Sequence, residues 1–321
     1  MKRILVIHTG GTIAMEENHE TGVVTPKDEN PLPQISKQFE TTAKLILKQP
    51  FLLPSPHITP KEMLLLKELI EEEYEKNNLD GVVITHGTDT LEETAYFLDL
   101  TVNLNIPIVL TGAMRSSNEI GSDGLYNFIA SIRVACSDSA KNKGVLVVLN
   151  DEIHTAMNVT KTHTTNVSTF QSPQYGPIGL VTKRDIIFQQ KPDKSEKYAI
   201  KDINVRVALL KAYSGMEADV FHSLHQLKYD GVVIEAFGTG NLPPATIEGI
   251  KKLLDAHIPI VLVSRCFNGI AQDTYQYVGG GKQLKEMGVI FCNGLNGPKA
   301  RIKVLVALSS QIKKPLNEVF T

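Results

Sequence analysis

The chain has 321 residues, 42% of them apolar and 21% charged, which exceeds the usual size of one core and predicts a globular protein of two domains. A net charge of −2 gives no electrostatic footprint for nucleic acid or an acidic membrane surface, and no apolar run reaches the roughly 18 residues of a membrane span. Cys136, Cys266 and Cys292 are odd in number and form no CxxC or zinc pattern, which fits a reducing compartment. The first strand begins at Lys2 or Arg3, so no leader is expected before it and a cytoplasmic location is predicted. The glycosylation patterns at Asn158 and Asn166 carry no meaning in a chain that is not secreted.

Ile4-Leu5-Val6-Ile7 reads as a buried parallel strand, followed at once by the turn Thr9-Gly10-Gly11-Thr12. Ala14 to Asn30 is polar, carries Gly22 and Pro26, and predicts a loop or short hairpin able to act as a lid. Ser36 to Leu47 is weakly patterned, and Phe51-Leu52-Leu53 predicts a strand ending at Pro54-Ser55-Pro56-His57. A helix starts at Thr59-Pro60-Lys61-Glu62, with Leu65, Leu66, Leu69 and Ile70 expected on its buried face. Strand Gly81 to Thr85, helix Leu91 to Leu100, strand Ile106 to Leu110, helix Gly124 to Cys136 and strand Val145 to Leu149 then alternate. This predicts an α/β fold whose larger N-terminal domain is a doubly wound, mostly parallel sheet with right-handed crossovers.

Asn150 to Pro173 is long, polar and rich in Thr and Asn, and reads as a functional loop without periodicity. The predicted organisation is an N-terminal domain over 1–188, a charged linker over 189–204 and a smaller C-terminal α/β domain over 205–321. That second domain is expected to contain strands Val205 to Leu210, Val232 to Glu235 and Ile258 to Val263. Its helices are expected at Glu217 to Leu227, Pro244 to Leu254 and Gly297 to Leu308.

A second turn, Thr85-His86-Gly87-Thr88-Asp89-Thr90, also follows a strand. Its plain structural reading is helix capping, Asp89 with Glu92 or Thr90 with Glu93. Capping does not explain a second Gly-Thr at a second strand end. Two threonines at one sheet edge, where open α/β sheets place ligands, point to nucleophilic chemistry. Threonine is a weak nucleophile and needs a partner for its proton. Lys161 is a candidate, although a loop lysine is ordinarily solvated; His163 reads as a structural hydrogen-bonder. Gly238-Thr239-Gly240-Asn241-Leu242-Pro243 fails the dinucleotide fingerprint, and Gly279-Gly280-Gly281-Lys282 fails the Walker spacing.

Together, Thr9-Gly10-Gly11-Thr12-Ile13 and Thr85-His86-Gly87-Thr88-Asp89-Thr90 resemble the two signatures of the bacterial-type L-asparaginase/glutaminase family. Thr111-Gly112-Ala113-Met114-Arg115, Asn158-Val159-Thr160-Lys161-Thr162 and Asn293-Gly294-Leu295-Asn296 extend the match over nearly the whole chain. The resemblance implies hydrolysis of L-asparagine to L-aspartate and ammonia through an acyl-enzyme, with no cofactor and no metal. It implies that Thr12 attacks the side-chain amide, that Thr88, Asp89 and Lys161 form a second group, and that Asp89 also holds the substrate's α-ammonium. Ser55 would bind the α-carboxylate, the Ala113 carbonyl would accept from the leaving nitrogen, and the N–H groups of Gly11 and Thr88 would serve the oxyanion.

Three positions depart from the family pattern. Val23 stands where many relatives carry a lid tyrosine, Pro56 follows Ser55 where Gln or Thr is usual, and Tyr275 stands where secreted relatives offer a glutamate from the adjoining subunit. Asn241 is the other residue expected from that subunit, so a homodimer or homotetramer with a shared site is implied. Asparagine and glutamine differ by one methylene, worth about 1–3 kcal/mol of discrimination. Competing readings are a glutaminase-asparaginase, the amidase subunit of a tRNA-dependent amidotransferase, and a non-catalytic module binding an amino acid or nucleotide.

Overall fold

Ile4, Leu5, Val6 and Ile7 are wholly shielded from solvent, as a strand covered on both faces requires. Burying each contributes about 1.5–3 kcal/mol, which anchors this strand in the middle of the core. The computed structural model describes residues 1–18, 21, 24–26, 43–192, 196–311 and 314–320. The lid position at Val23 lies outside them.

The chain divides into two units, Met1–Lys197 and Tyr198–Thr321. The first is built on eight strands: β1 (Lys2–His8), β4 (Ala43–Lys48), β5 (Gly81–Thr85), β6 (Ile108–Thr111), β7 (Val145–Leu149), β8 (Glu152–Thr155), β11 (Gly179–Val181) and β12 (Ile186–Phe188). Their order is β12-β11-β8-β7-β6-β5-β1-β4, parallel from β7 to β4 and antiparallel through β8, β11 and β12. Two short hairpins complete the strands, β2 (Met15–Glu17) with β3 (Val24–Pro26) and β9 (Thr160–Lys161) with β10 (Phe170–Gln171). The helices are α1 (Pro60–Asn77), α2 (Leu91–Thr101) and α3 (Gly124–Cys136). The capping box that opens α1 is formed as its sequence predicts, Thr59 and Glu62 each accepting from the other's end of the turn.

Four expectations need correction. Phe51 to Leu53 is not a strand; Leu53 instead donates its N–H to the Thr9 carbonyl (2.9 Å) and braces the first turn, while the edge strand is β4, inside the weakly patterned stretch. Only Ala43 of β4 is buried, so its alternation is too faint to read. Leu65 is half-exposed, because the inward stripe of α1 runs through Met63, Leu66, Lys67, Ile70 and Glu73. The stretch 150–173 contains β8, β9 and β10. Asn150 and Asp151, at φ 50° and 65°, turn β7 straight back into β8, as a two-residue hairpin loop of primed type does. Finally, the crossovers are not of one hand. Phe128, Ala130, Ile132 and Val134 of α3 pack with Ile4, Val6, Val83 and Val109 on one sheet face, and no residue of α2 belongs to that cluster. Since β5, β6 and β7 follow one another in one direction, helices on opposite faces give successive crossovers opposite hands. The long segment 112–123 carries the chain across the strand ends before α3 begins.

The second unit is a four-stranded parallel sheet in the order β13 (Val207–Lys211), β14 (Gly231–Ala236), β15 (Ile260–Ser264), β16 (Ile290–Phe291). Its main helices are α4 (Asp219–Gln226), α5 (Ile247–Asp255), α6 (Gly281–Glu286) and α7 (Gly297–Ser309). No described helix is long and apolar enough to cross a membrane.

Candidate active site

The first sheet ends level where the chemistry is expected. His8 pairs with Thr85, and Thr85 with Thr111, so the three turns that follow β1, β5 and β6 leave the same edge side by side. Strand order reverses at β1, with β4 on one side and β5 on the other, which is the switch point where such sheets open a crevice.

Glycine sets how closely these turns approach. Gly11 has φ +87°, and a Cβ there would lie 2.3 Å from Gly87 Cα, well inside contact distance. At Gly87 a Cβ would meet Ser55 Oγ at 2.8 Å, and at Gly112 it would meet the His86 carbonyl at 2.6 Å. Thr12, Thr88 and Ala113 each come directly after one of these contacts. The three residues are therefore delivered together by backbones that touch.

Two buried histidines support the platform. His86 donates from Nδ1 to the Gly87 carbonyl (2.7 Å), which leaves Nε2 to accept from Thr94 Oγ1 (2.9 Å). Burial pushes its pKa down to about 4, so the ring is neutral. His8 bonds Thr85 Oγ1 (2.9 Å), and burial lowers its pKa to about 4 as well.

The capping reading of the second turn does not hold. Thr90 stands at the N-cap of α2, yet its hydroxyl makes no cap bond and donates to the Ser55 carbonyl (2.8 Å). Asp89 faces Lys161 instead: Nζ lies 2.7 Å from Asp89 Oδ1 and 2.9 Å from Thr88 Oγ1. Lys161 reaches them from β9, a strand pinned to α2 by Glu92, whose Oε1 accepts from Thr160 Oγ1 (2.9 Å) and from the Lys161 N–H (3.2 Å). His163 is a turn-former as expected, its Nδ1 accepting from the N–H groups of Thr165 and Asn166 at 3.1 Å each.

Ser55 is buried, and its Oγ accepts from the Asp89 N–H (3.2 Å), so its own hydrogen is left to donate. Pro56 fits because Ser55–His57 is a single 3₁₀ turn, whose early positions need no N–H. Ala113 is buried, and the direction of its carbonyl is fixed from behind. Asp123 accepts from the N–H of Met114 (3.1 Å) and of Arg115 (3.0 Å), and Asn127 Nδ2 donates to the Gly112 carbonyl (3.0 Å) and to Asp123 (3.0 Å). The Ala113 carbonyl and the Met114 N–H belong to one planar trans peptide, so holding the N–H toward Asp123 turns the carbonyl the opposite way.

The N-terminal domain model of the asparaginases matches residues 3–194, and the glutaminase/asparaginase C-terminal domain model matches residues 206–318. The chain belongs to the asparaginase family of amidohydrolases. A Deinococcus radiodurans protein named "Probable L-asparaginase" is 37% identical over 326 aligned positions, covering 100% of this chain and 98% of the relative. The crystal structure of "Probable Cytoplasmic L-asparaginase from Campylobacter jejuni" is similar at a TM-score of 0.88 and 31% identity, covering 100% of this chain and 99% of that one. A Methanococcus maripaludis component of glutamyl-tRNA(Gln) amidotransferase is 28% identical, covering 100% of this chain but 79% of the relative.

Of the residues expected from the sequence, Thr12, Ser55, Thr88, Asp89, Ala113 and Lys161 are carried to one edge of the first unit, with Gly11 packed on Gly87. Asn241 and Tyr275 are placed in the second unit. There Asn241 Oδ1 accepts from the Gly281 N–H (3.1 Å), and Tyr275 is half-exposed with its ring 5.8 Å from that of Tyr277. Sequence reasoning missed Asp123 and Asn127, which hold the backbone behind Ala113, and read Glu92 as a cap where it instead holds Thr160 and Lys161. Asp123 and Asn127, four apart at the start of a helix, are the one spacing that could have drawn attention to them.

Proposed function

We propose that this chain is a cytoplasmic L-asparaginase in which Thr12 is the nucleophile. The observation that carries the reading is the Lys161 ammonium set between Thr88 Oγ1 and Asp89 Oδ1 at 2.9 and 2.7 Å. Nζ donates to Thr88, so the Thr88 hydroxyl hydrogen is directed away from the lysine. The exposed Asp89 carboxylate holds the α-ammonium of asparagine, and Ser55 Oγ donates to its α-carboxylate.

Thr12 Oγ forms a bond to the side-chain amide carbon, and its proton goes to the departing nitrogen, whose N–H the Ala113 carbonyl accepts. The carbon–nitrogen bond breaks, ammonia leaves, and water then releases aspartate and restores the hydroxyl. Thr12 is partly exposed, and its hydroxyl is bonded to none of the described residues, as a group that waits for substrate should be. Neither the Gly11 nor the Thr88 N–H is used by another described backbone or side chain, which suits them to the oxyanion. Each such donor is worth on the order of 10²–10³ in rate.

Completion of the site by Asn241 and Tyr275 of a second copy fits the surface of the second unit. Phe267, Ile270, Tyr275, Tyr277 and Val278 all stand exposed on one segment after β15, a run of large apolar and aromatic side chains of the kind enriched at interfaces. The purified chain given L-asparagine, without tRNA or any partner, is expected to release ammonia and aspartate in equal amounts, with a higher kcat/KM than on glutamine. Stoichiometric binding without turnover, or ammonia only in the presence of charged tRNA, would overturn the reading.

A further inference from the structure

The turn that carries Thr12 is anchored in the core by buried Ile13, but its backbone after that residue is held from outside. Thr12–Ala14 is one 3₁₀ turn with no side-chain cap, and it runs directly into β2. One edge of β2 is taken by β3. The other edge meets the 112–123 segment, and there side chains replace a third strand. Asn118 pairs with Glu17 in both directions: the Glu17 N–H donates to Oδ1 (2.8 Å), and Nδ2 donates to the Glu17 carbonyl (2.8 Å). Two residues back, the Met15 carbonyl accepts from both the N–H (3.1 Å) and the Oγ (2.9 Å) of Ser117. The Met15 N–H in turn donates to the Thr12 carbonyl. Ser117 therefore reaches the nucleophile through Met15 alone and Asn118 through the two residues beyond it, while the near end of the same segment is fastened by Asp123 at Met114 and Arg115.

We infer that Asn118, seconded by Ser117, is a positioning residue for Thr12: it ties the nucleophile's turn to the segment that holds the Ala113 carbonyl, so that attacking oxygen and leaving-group acceptor keep a fixed spacing. This rests on the reading of Thr12 as nucleophile. The amide group of Asn is well suited to the task, since it offers one acceptor and one donor at the spacing of a strand residue, and neither Asp nor Leu offers both. Misplacing a reacting group by about 1 Å costs on the order of 10²-fold in rate, whereas the groups that bind substrate, Asp89 and Ser55, stand on other turns.

The test is Asn118→Ala, with Ser117→Ala as a milder second variant that keeps the backbone donor. Asn118→Ala should lower kcat about 10- to 100-fold. The Kd for asparagine, measured by calorimetry on Thr12→Ala protein with and without Asn118→Ala, should stay within about 2-fold. Hydrogen exchange at the Met15 and Glu17 amides should accelerate in Asn118→Ala whether or not substrate is present. A kcat within about twofold of the unmodified chain, a Kd that weakens in step with kcat, or unchanged exchange at Met15 would each overturn the inference. If the unmodified chain releases no ammonia, the functional reading fails, and the Met15 exchange rate still decides whether Asn118 holds the turn.

Discussion

Gly11→Ala is the substitution whose effect is best defined by the geometry. The added methyl would sit 2.3 Å from Gly87 Cα and 2.5 Å from Gly87 N, both backbone atoms with nowhere to rotate. Restoring ordinary contact requires the two turns to part by about 1 Å, and φ +87° strains any residue with a Cβ. Backbone strain of about 1–3 kcal/mol and overpacking of about 1–3 kcal/mol give a loss of about 2–6 kcal/mol. Because Thr12 and Thr88 follow the parted residues, activity should fall by about 10²-fold or more in protein that remains folded. Gly176→Ala supplies the control within the same unit, having φ +71° but no atom within 4 Å of the added methyl. It should cost the strain alone, about 1–3 kcal/mol, with full turnover. Urea unfolding and ammonia release measured on both variants make the comparison. Gly11→Ala protein with wild-type turnover, or equal loss of activity in Gly176→Ala, would refute the claim that contact between the two turns sets the active geometry.

Acid should destabilise the fold through its buried histidines. His8 and His86 stay neutral down to about pH 4, whereas in the unfolded chain they take up protons near 6.5. Above pH 6.5 neither contributes a pH dependence; between 6.5 and 4 stability should fall by about 1.4 kcal/mol per unit for each. His8→Gln should remove its share of that slope in urea titrations at pH 7 and 5, and an unchanged slope would remove His8 from the account. Asp123→Ala leaves three donors near Met114 without their acceptor and frees the Ala113 peptide to rotate, so kcat should fall more than asparagine affinity does. A variant with full kcat would show that the peptide keeps its direction unaided. Dilution until the assembly dissociates should abolish turnover, tested by sedimentation alongside the assay; a fully active monomer would exclude a shared site.

The sequence shows the parts of this fold that depend on burial over several residues. Ile4 to Ile7, Gly81 to Thr85 and Gly124 to Cys136 stand where apolar runs and periodicity place them. Elements of two to four residues, such as β8, β9 and β10, carry too little pattern to read, and the edge strand β4 hides because one residue of six is buried. The hand of the β6–α3–β7 crossover is invisible in any local pattern. At the site, the two Gly-Thr motifs could be read because a glycine before each threonine is a steric requirement of the close approach of the turns. Lys161 is different: its inward turn depends on Glu92, Thr88 and Asp89, all far away in the chain, and on the short pairing of β9 with β10. The roles of Asp123 and Asn118 escape for the same reason, since both act on backbone groups that a sequence does not show.

The central claim is that hydroxyls from two glycine-led turns do the hydrolysis, and it is tested most directly by kcat/KM on L-asparagine for Thr12→Ala and Thr88→Val, with melting temperature measured on the same samples. Both variants should lose about 10³-fold or more with the fold unchanged. Near wild-type turnover in either one would contradict the account and remove that threonine from the mechanism.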